Sequence, residues 1–591
     1  MSRLPSLQNV LNATLKTVLR FPLENITAIL GTIFAIILNE KNYNDPNKEF
    51  YEKALMSASL CLVLFLSVSL FFLASKKNTI LRFITSIILG SFIVLFVFNF
   101  HKDITDLEIQ QFLVLNIALH LLVSFAGFLP RSYDQDEFWE FNKQLFLRIL
   151  TAGLYSVVLY CGLSLAILAI DKLFNVKFYD HIYIHIFFVI AGIFNTIFFL
   201  NGVPETNNSE NPLILKYPKG LKNFTQYVLL PLISLYLVIL ICYEAKILVT
   251  LSLPVGWVSY LVLVFAIFGI LSFLLVHPIA TETNNLWMRT FNRWFYFLLI
   301  PLLGLLFWAI LYRINLYGFT HERYYVLLLS IWLSVIVGYF LIRKQPKIKF
   351  IPVSLCLAGM LSLAGPQSAN FISKNSQLSR FESYMKKSNQ KLTFEQEQDL
   401  SSIVSFLEDN YGVEIMVPYA KTKLETLLKT DKFPSDYEIM EALGFEYRSP
   451  YDKKEKNKDE FYYYYYENDQ NNVENIHGYD ISFTLSSYQN KFECNDCIKI
   501  ENKSYSIQSH DKDYGLDLQI NQDNIPIQIN DFVNKNADFK ENYNANKKIT
   551  QEVETPKYKI MITYLNANGK IKNNKKILNN YNIKVLIKIK N

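Results

Sequence analysis

From about residue 21 the chain runs through long stretches of unbroken apolar residues separated by short polar segments. Continuous rather than alternating hydrophobicity at such lengths selects helix over strand. A bilayer core about 30 Å thick takes roughly 20 helical residues to cross, and inside it every backbone group must be bonded internally. Eleven spans are predicted, at residues 21–38, 54–74, 80–99, 109–129, 145–170, 182–200, 224–243, 257–276, 294–312, 324–342 and 348–364. The last is the shortest and carries Pro352 near its start, so the side on which the following residues emerge hangs on whether it crosses. The first 20 residues are polar and basic and lack a small-residue cleavage pattern, so the first span is expected to stay as a signal anchor.

After Gly365-Pro366 the pattern changes. Helical spacing over 394–410 puts Leu400, Ile403, Val404 and Leu407 on one face, with Gly412 as a stop. Two short helices are predicted at 421–428 and 435–443, the second opened by Pro434-Ser435-Asp436 and closed by Gly444. From about Phe461 the period falls to two. Strands are expected at 479–485, 498–508, 516–520, 525–529, 558–565 and 583–589, with a hairpin turn at Asn566-Ala567-Asn568-Gly569 and an aromatic edge strand at 462–466. The expected architecture is an all-α polytopic transmembrane bundle of about 11 spans over residues 1–365, followed by a soluble α+β domain over 366–591.

Composition sharpens this in two ways. The mean hydropathy of +0.17 averages two unlike parts: residues 1–365 carry a net charge of +8 and residues 366–591 a net of −2. The overall +6 is too small a bias to argue for nucleic acid. Sidedness follows from the short loops: with the N-terminus inside, eighteen Lys/Arg lie on the cytoplasmic side and nine on the other. Eleven crossings then put the tail outside the cytoplasm.

Several short strings resemble one family. They are Arg20-Phe21-Pro22 opening the first span, Pro231, Tyr236 and Tyr243 in the seventh, and Pro254-Val255-Gly256-Trp257 opening the eighth. Tyr317-Gly318-Phe319-Thr320 with Arg323, then Gly365-Pro366, Ser376-Gln377 and Arg380, and Gly478-Tyr479-Asp480 complete the set. In order and spacing they resemble the bacterial multi-pass membrane family catalogued as domain of unknown function 4153. The resemblance implies an inner-membrane location and brings no catalytic residues with it.

Chemistry-bearing motifs are few. No Walker-type phosphate loop, His-Glu-x-x-His or Gly-x-Ser-x-Gly occurs, which argues against an ATP-driven pump and the commonest hydrolases. Asn116 and His120 share a helix face in the fourth span, and Asn195 in the sixth is placed to meet them. They form either a polar pocket with His120 as titrating group or simple interhelical hydrogen bonds. Arg313 and Arg323 flank an outer turn and are candidates for a phosphate or lipid headgroup, against a plain basic loop. Glu24, one turn inside the first span, reads as a headgroup-depth carboxylate paired with Lys16 or Arg20, against a free carboxylate that binds a cation or relays protons. His181 and His185 share a face but lack an apparent third ligand, so no metal is expected, and no cofactor motif is found. Cys494 and Cys497 are spaced for a small disulfide outside the cytoplasm.

Three functions fit these features. The first is an envelope protein that presents an extracytoplasmic domain to a protein partner. The second is a transporter or channel for a small solute or lipid, lined by Asn116, His120 and Asn195. The third is an enzyme on a lipid-linked substrate, with Asp45, Glu49 and Glu52 opposite Arg313 and Arg323.

Overall fold

The computed structural model describes residues 7–590, except 43–44, 77, 131, 206–212, 251–256, 279–285, 387–390, 431–433, 453–459, 466–475, 488–490, 501–502, 513–514, 537–538, 540–547 and 573–574. The chain divides into two compact units, Met1–Arg448 and Ser449–Asn591. Composition changes at 365–366, but the compact units divide later, because two of the helices beyond that point pack onto the bundle and the next two pack with them.

The first unit is helical. Its elements are α1 (Leu7–Arg20), α2 (Pro22–Glu40), α3 (Lys48–Ser75), α4 (Thr79–Phe98), α5 (Asp106–Ala126) and α6 (Gln135–Phe174). Next come α7 (Ile182–Asn201), α8 (Lys219–Thr250), α9 (Trp257–Val276), α10 (Leu286–Tyr317), α11 (His321–Ile342) and α12 (Phe350–Leu363). Ten of these, α2 to α11, are long and apolar enough to cross a membrane, and the protein is a multi-pass membrane protein. Their apolar faces are also widely exposed, as lipid-facing helices require. In the 40-residue α6 the most apolar window has no buried residue at all.

The eleventh predicted span differs. It is α12, a helix of 14 residues, about 21 Å long and short of a full crossing by itself. It nevertheless returns along the whole of α11. Tyr339 stacks on Phe350 with ring centroids 4.2 Å apart, Trp332 Nε1 donates to Ser354 Oγ at 3.0 Å, and Tyr324 OH donates to the Gln367 carbonyl at 2.6 Å. The non-helical Ala364–Gln367 stretch carries the chain on from the end of α12 to a level with Tyr324, near the start of α11.

Two ends of the bundle follow from these contacts. At one, Phe21, Phe128, Phe141, Val203 and Ile348 share a core, and Lys349 Nζ donates to the Phe128 carbonyl at 2.7 Å. At the other, Lys53 is buried with its ammonium on the Phe100 carbonyl at 2.7 Å, and Leu363 packs into the cluster around Phe100.

At this second end sits a platform of α13 (Ala369–Met385), α14 (Phe394–Tyr411), α15 (Lys421–Thr430) and α16 (Asp436–Leu443). Capping boxes open α14 (Thr393, Gln396) and α16 (Ser435, Glu438), and Gly412 and Gly444 close them at φ +75° and +84°. The core is Phe381, Leu400, Val404, Leu407, Met416 and Ile439 with their neighbours.

One titration is built into the platform. Burial, followed by the neighbouring Asp409 and Asp436, raises the Glu408 carboxyl above its ordinary value. A raised carboxyl favours the folded state while protonated, and that contribution is lost as pH rises through the raised value. Glu408→Gln is therefore expected to melt above wild type at a pH of about 7.5, with the gap narrowing as pH falls to about 5.5. Thermal unfolding of the two proteins across that range checks it. A gap that widens on acidification contradicts it.

The second unit holds two antiparallel sheets. One runs β1-β8-β9-β2, with β7 also on β8; the other runs β3-β4-β5-β6. The strands are β1 (Glu460–Tyr464), β2 (Ile481–Ser486), β3 (Lys491–Ile500), β4 (Lys503–Lys512), β5 (Gly515–Ile520), β6 (Asp523–Ile527), β7 (Ile549–Glu554), β8 (Tyr558–Lys572) and β9 (Lys575–Ile589). A short helix, α17 (Ile529–Lys535), lies between β6 and β7. Ile507, Leu518 and Ile520 from one sheet and Ile560, Ile562 and Tyr564 from the other share a single core with Phe539.

The aromatic run forms edge strand β1, of which residue 466 lies outside the described residues. The expected turn at residues 566–569 is instead the middle of β8. There the ladder to β9 shifts register on either side of Asn566–Asn568. Asn and Gly serve a bulge here rather than a reversal. A Cβ on Gly569 would stand 2.0 Å from the Ile577 carbonyl oxygen, so only glycine lets the strands approach.

Candidate functional site

Polar side chains inside apolar spans are costly, so each such cluster is a place to look for chemistry. A cleft of about 430 Å³ lies between α3, α5, α6 and α7. Its walls are mostly aliphatic, from Leu62, Leu66, Leu145 and Ile149 among others. Its polar groups are His120, Ser124, Asn142, Asn195 and Thr196. His120 and Asn195 thus line one space. Asn116 does not line it and contributes only its carbonyl, 2.9 Å from His120 Nδ1. Asn195 follows immediately on a π-helical turn, Ile190–Phe194. Such a bulge locally re-aims the helix and is frequent at functional positions. Asn142 donates to the Ser124 and Phe138 carbonyls at 3.1 and 2.9 Å, tying α6 to α5. Its place one helical turn before the predicted fifth span hid it in the sequence.

A second cluster escaped sequence reasoning in a different way. Glu24 is fully buried. It accepts a short hydrogen bond from Ser69 Oγ of α3, and its carboxylate lies 3.6 Å from Arg82 Nη2 of α4. The partner is therefore neither Lys16 nor Arg20. Arg82 also donates to the Arg20 carbonyl at 3.0 Å, while the Arg20 guanidinium is spent on the Val203 and Pro204 carbonyls. Glu24 Oε2, Asn25 Oδ1, Arg82 Nε and Ser86 Oγ are buried without a hydrogen-bond partner among the described residues. Spacing along one helix has no term for a pair between α2 and α4.

The strings quoted around residues 317 and 376 prove to be one structure. Gly318 turns the chain at φ +68° between α10 and α11. Ser376 Oγ accepts from the Phe319 N–H at 2.9 Å, and Gln377 Nε2 donates to the Tyr317 and Phe319 carbonyls at 3.0 and 2.7 Å. Arg380 donates to the Leu316 and Tyr317 carbonyls and pairs with Asp399 at 2.6 Å. Arg323 donates to the Tyr317 and Gly318 carbonyls at 3.0 and 2.9 Å. The open carbonyls at the end of α10 are thereby capped by three side chains. Arg313 is half-buried and has no ion-pair partner among the described residues. His321 is buried and shares a 2.8 Å hydrogen bond with the Tyr411 hydroxyl, pinning α14 to α11.

A family model described as Domain of unknown function (DUF4153) matches residues 50–402. The chain belongs to this family. "Uncharacterized protein PM1469" of Pasteurella multocida (strain Pm70) is 25% identical over 268 residues, covering 44% of this chain and 43% of that protein. The chain thus matches less than half of that relative's length. No solved structure matches. The DUF4153 match takes in the cleft and the capped turn; Glu24 and both sheets of the second unit lie outside it.

Two further predicted groups have definite places. His181 and His185 both meet Glu40, at 3.2 and 2.7 Å, as ion-pair contacts between α7 and the end of α2. Among the described residues no group of three or more His, Cys, Asp or Glu is placed to hold a metal ion. Cys494 is disulfide-bonded and lies in β3, where the ladder to β4 slips between Cys494 and Ile498. The side chain of Cys497, its expected partner, lies outside the described residues.

Proposed function

We propose that this DUF4153 protein resides in the bacterial cytoplasmic membrane, with the Arg20 end of the bundle in the cytoplasm. On this reading it presents its platform and β-sheet unit outside, to a protein partner of the envelope. The observation that carries the reading is the antiparallel course of α11 and α12, with Phe350 level with Tyr339 and Gln367 level with Tyr324. That course makes the short α12 a completed return, so the platform begins at the end opposite Arg20 and Lys349. The Lys/Arg bias of the loops supports calling the Arg20 end cytoplasmic. Leu11, Leu15 and Leu19 project from one face of α1 beside Lys16 and Arg20, a pattern that suits a helix lying at an anionic lipid surface.

Fusions after Gly412 test the sidedness: alkaline phosphatase should be active and green fluorescent protein dark. The opposite pair of signals overturns the assignment. Photo-crosslinking from exposed Tyr437 in living cells should then trap a discrete envelope protein. Adducts with lipid alone would remove the partner.

A further inference from the structure

The cleft leaves two hydrogen-bonding groups open in complementary senses. His120 Nδ1 faces the Asn116 carbonyl at 2.9 Å, and a carbonyl only accepts. Nδ1 therefore carries the hydrogen, which makes Nε2 an acceptor in the neutral ring. Asn195 Oδ1 accepts from Ser156 Oγ at 3.3 Å, leaving the amide N–H groups as donors. Among the described residues neither His120 Nε2 nor Asn195 Nδ2 has a protein partner. A hydroxyl both donates and accepts, and so matches the two groups in kind.

The rest of the lining narrows the ligand. No Asp, Glu, Lys or Arg lines the cleft. A phosphate there would sit in an apolar setting with no counter-charge, at high cost. Leu66, Leu145, Phe146 and Ile149 offer hydrocarbon contact instead, and the space of about 430 Å³ holds part of a lipid rather than a whole one. His120 is exposed where α5 meets the surrounding lipid, so a ligand enters from the bilayer without passing through water.

We propose that this cleft is a binding site for a neutral membrane lipid bearing a hydroxyl. The hydroxyl lies between His120 and Asn195 and the hydrocarbon lies along Leu66 and Ile149. The site is independent of which end of the bundle faces the cytoplasm.

The test uses full-length protein in detergent with a photoactivatable diacylglycerol as probe. Saturable labelling of α5 or α7 is expected. The same probe with its hydroxyl acetylated should bind about three- to tenfold more weakly, the range for losing one or two hydrogen bonds inside a membrane protein. His120→Phe and Asn195→Leu should each weaken the free-hydroxyl probe and leave the acetylated probe unchanged. Unsaturable labelling, equal binding of the two probes, or equal competition by phosphatidylglycerol overturns the proposal. The comparison of the two probes on wild-type protein needs no variant to fold.

Discussion

Arg82→Met should lower the stability of the helical unit by about 3–5 kcal/mol, the usual cost of leaving one member of a buried ion pair without its partner. Glu24 is fully buried, and the substitution leaves its carboxylate with the Ser69 hydroxyl alone. It also frees the Arg20 carbonyl, which Arg82 Nη2 now caps at 3.0 Å. Arg82→Lys should rescue poorly, since a single ammonium on a flexible stem cannot present two fixed N–H groups to both acceptors. The double variant Glu24→Gln/Arg82→Met should recover most of the loss, because neither charge remains to be buried. Unfolding of the purified proteins in detergent, arranged as a double-mutant cycle, gives the coupling directly. Additive single effects would mean that the two charges do not hold α2 to α4.

Gly318→Ala carries the second large effect. At φ +68° a side chain costs about 1–2 kcal/mol in backbone strain alone. The new Cβ would also stand 2.8 Å from Arg380 Cδ and 2.9 Å from Ser376 Oγ, so the caps on the end of α10 must move. Hydrogen exchange should accelerate across residues 369–385 while the platform core around Leu400 stays protected. Gly304→Ala, inside α10 with nothing within 4 Å of its Cβ, is the control and should be neutral or slightly stabilising. Unchanged exchange at 369–385 in Gly318→Ala would show that the turn does not hold α13.

Much of this architecture is legible in the sequence because the bilayer imposes a length and a polarity on every crossing helix. Ten spans follow from unbroken apolar runs, with ends that shift by a turn or more: α6 begins at Gln135, ten residues before the predicted span. The helices and caps of the platform are legible too, since Thr393, Ser435, Gly412 and Gly444 act locally. The cleft was half legible. His120 and Asn195 stand out because polar residues are rare in spans, whereas Asn142 sits among polar neighbours that mask it. What failed was pairing across elements. Glu24 with Arg82, and the turn at Gly318 with Ser376, Gln377 and Arg380, join residues 57 or more positions apart. The Asn566–Gly569 string failed for another reason: the same residues that permit a reversal also permit a bulge.

The capped turn also bears on how load passes through the molecule. The last carbonyls of α10 are held by Arg380 and Gln377 of the platform, together with Arg323 of α11. The platform cannot lift away without uncapping α10, so traction on the platform helices is delivered along that helix. Pro301 lies inside it and interrupts its hydrogen-bond ladder, which makes that residue the natural yielding point. A pull on the platform would be absorbed as bending at Pro301, midway along α10, before the turn itself gave way.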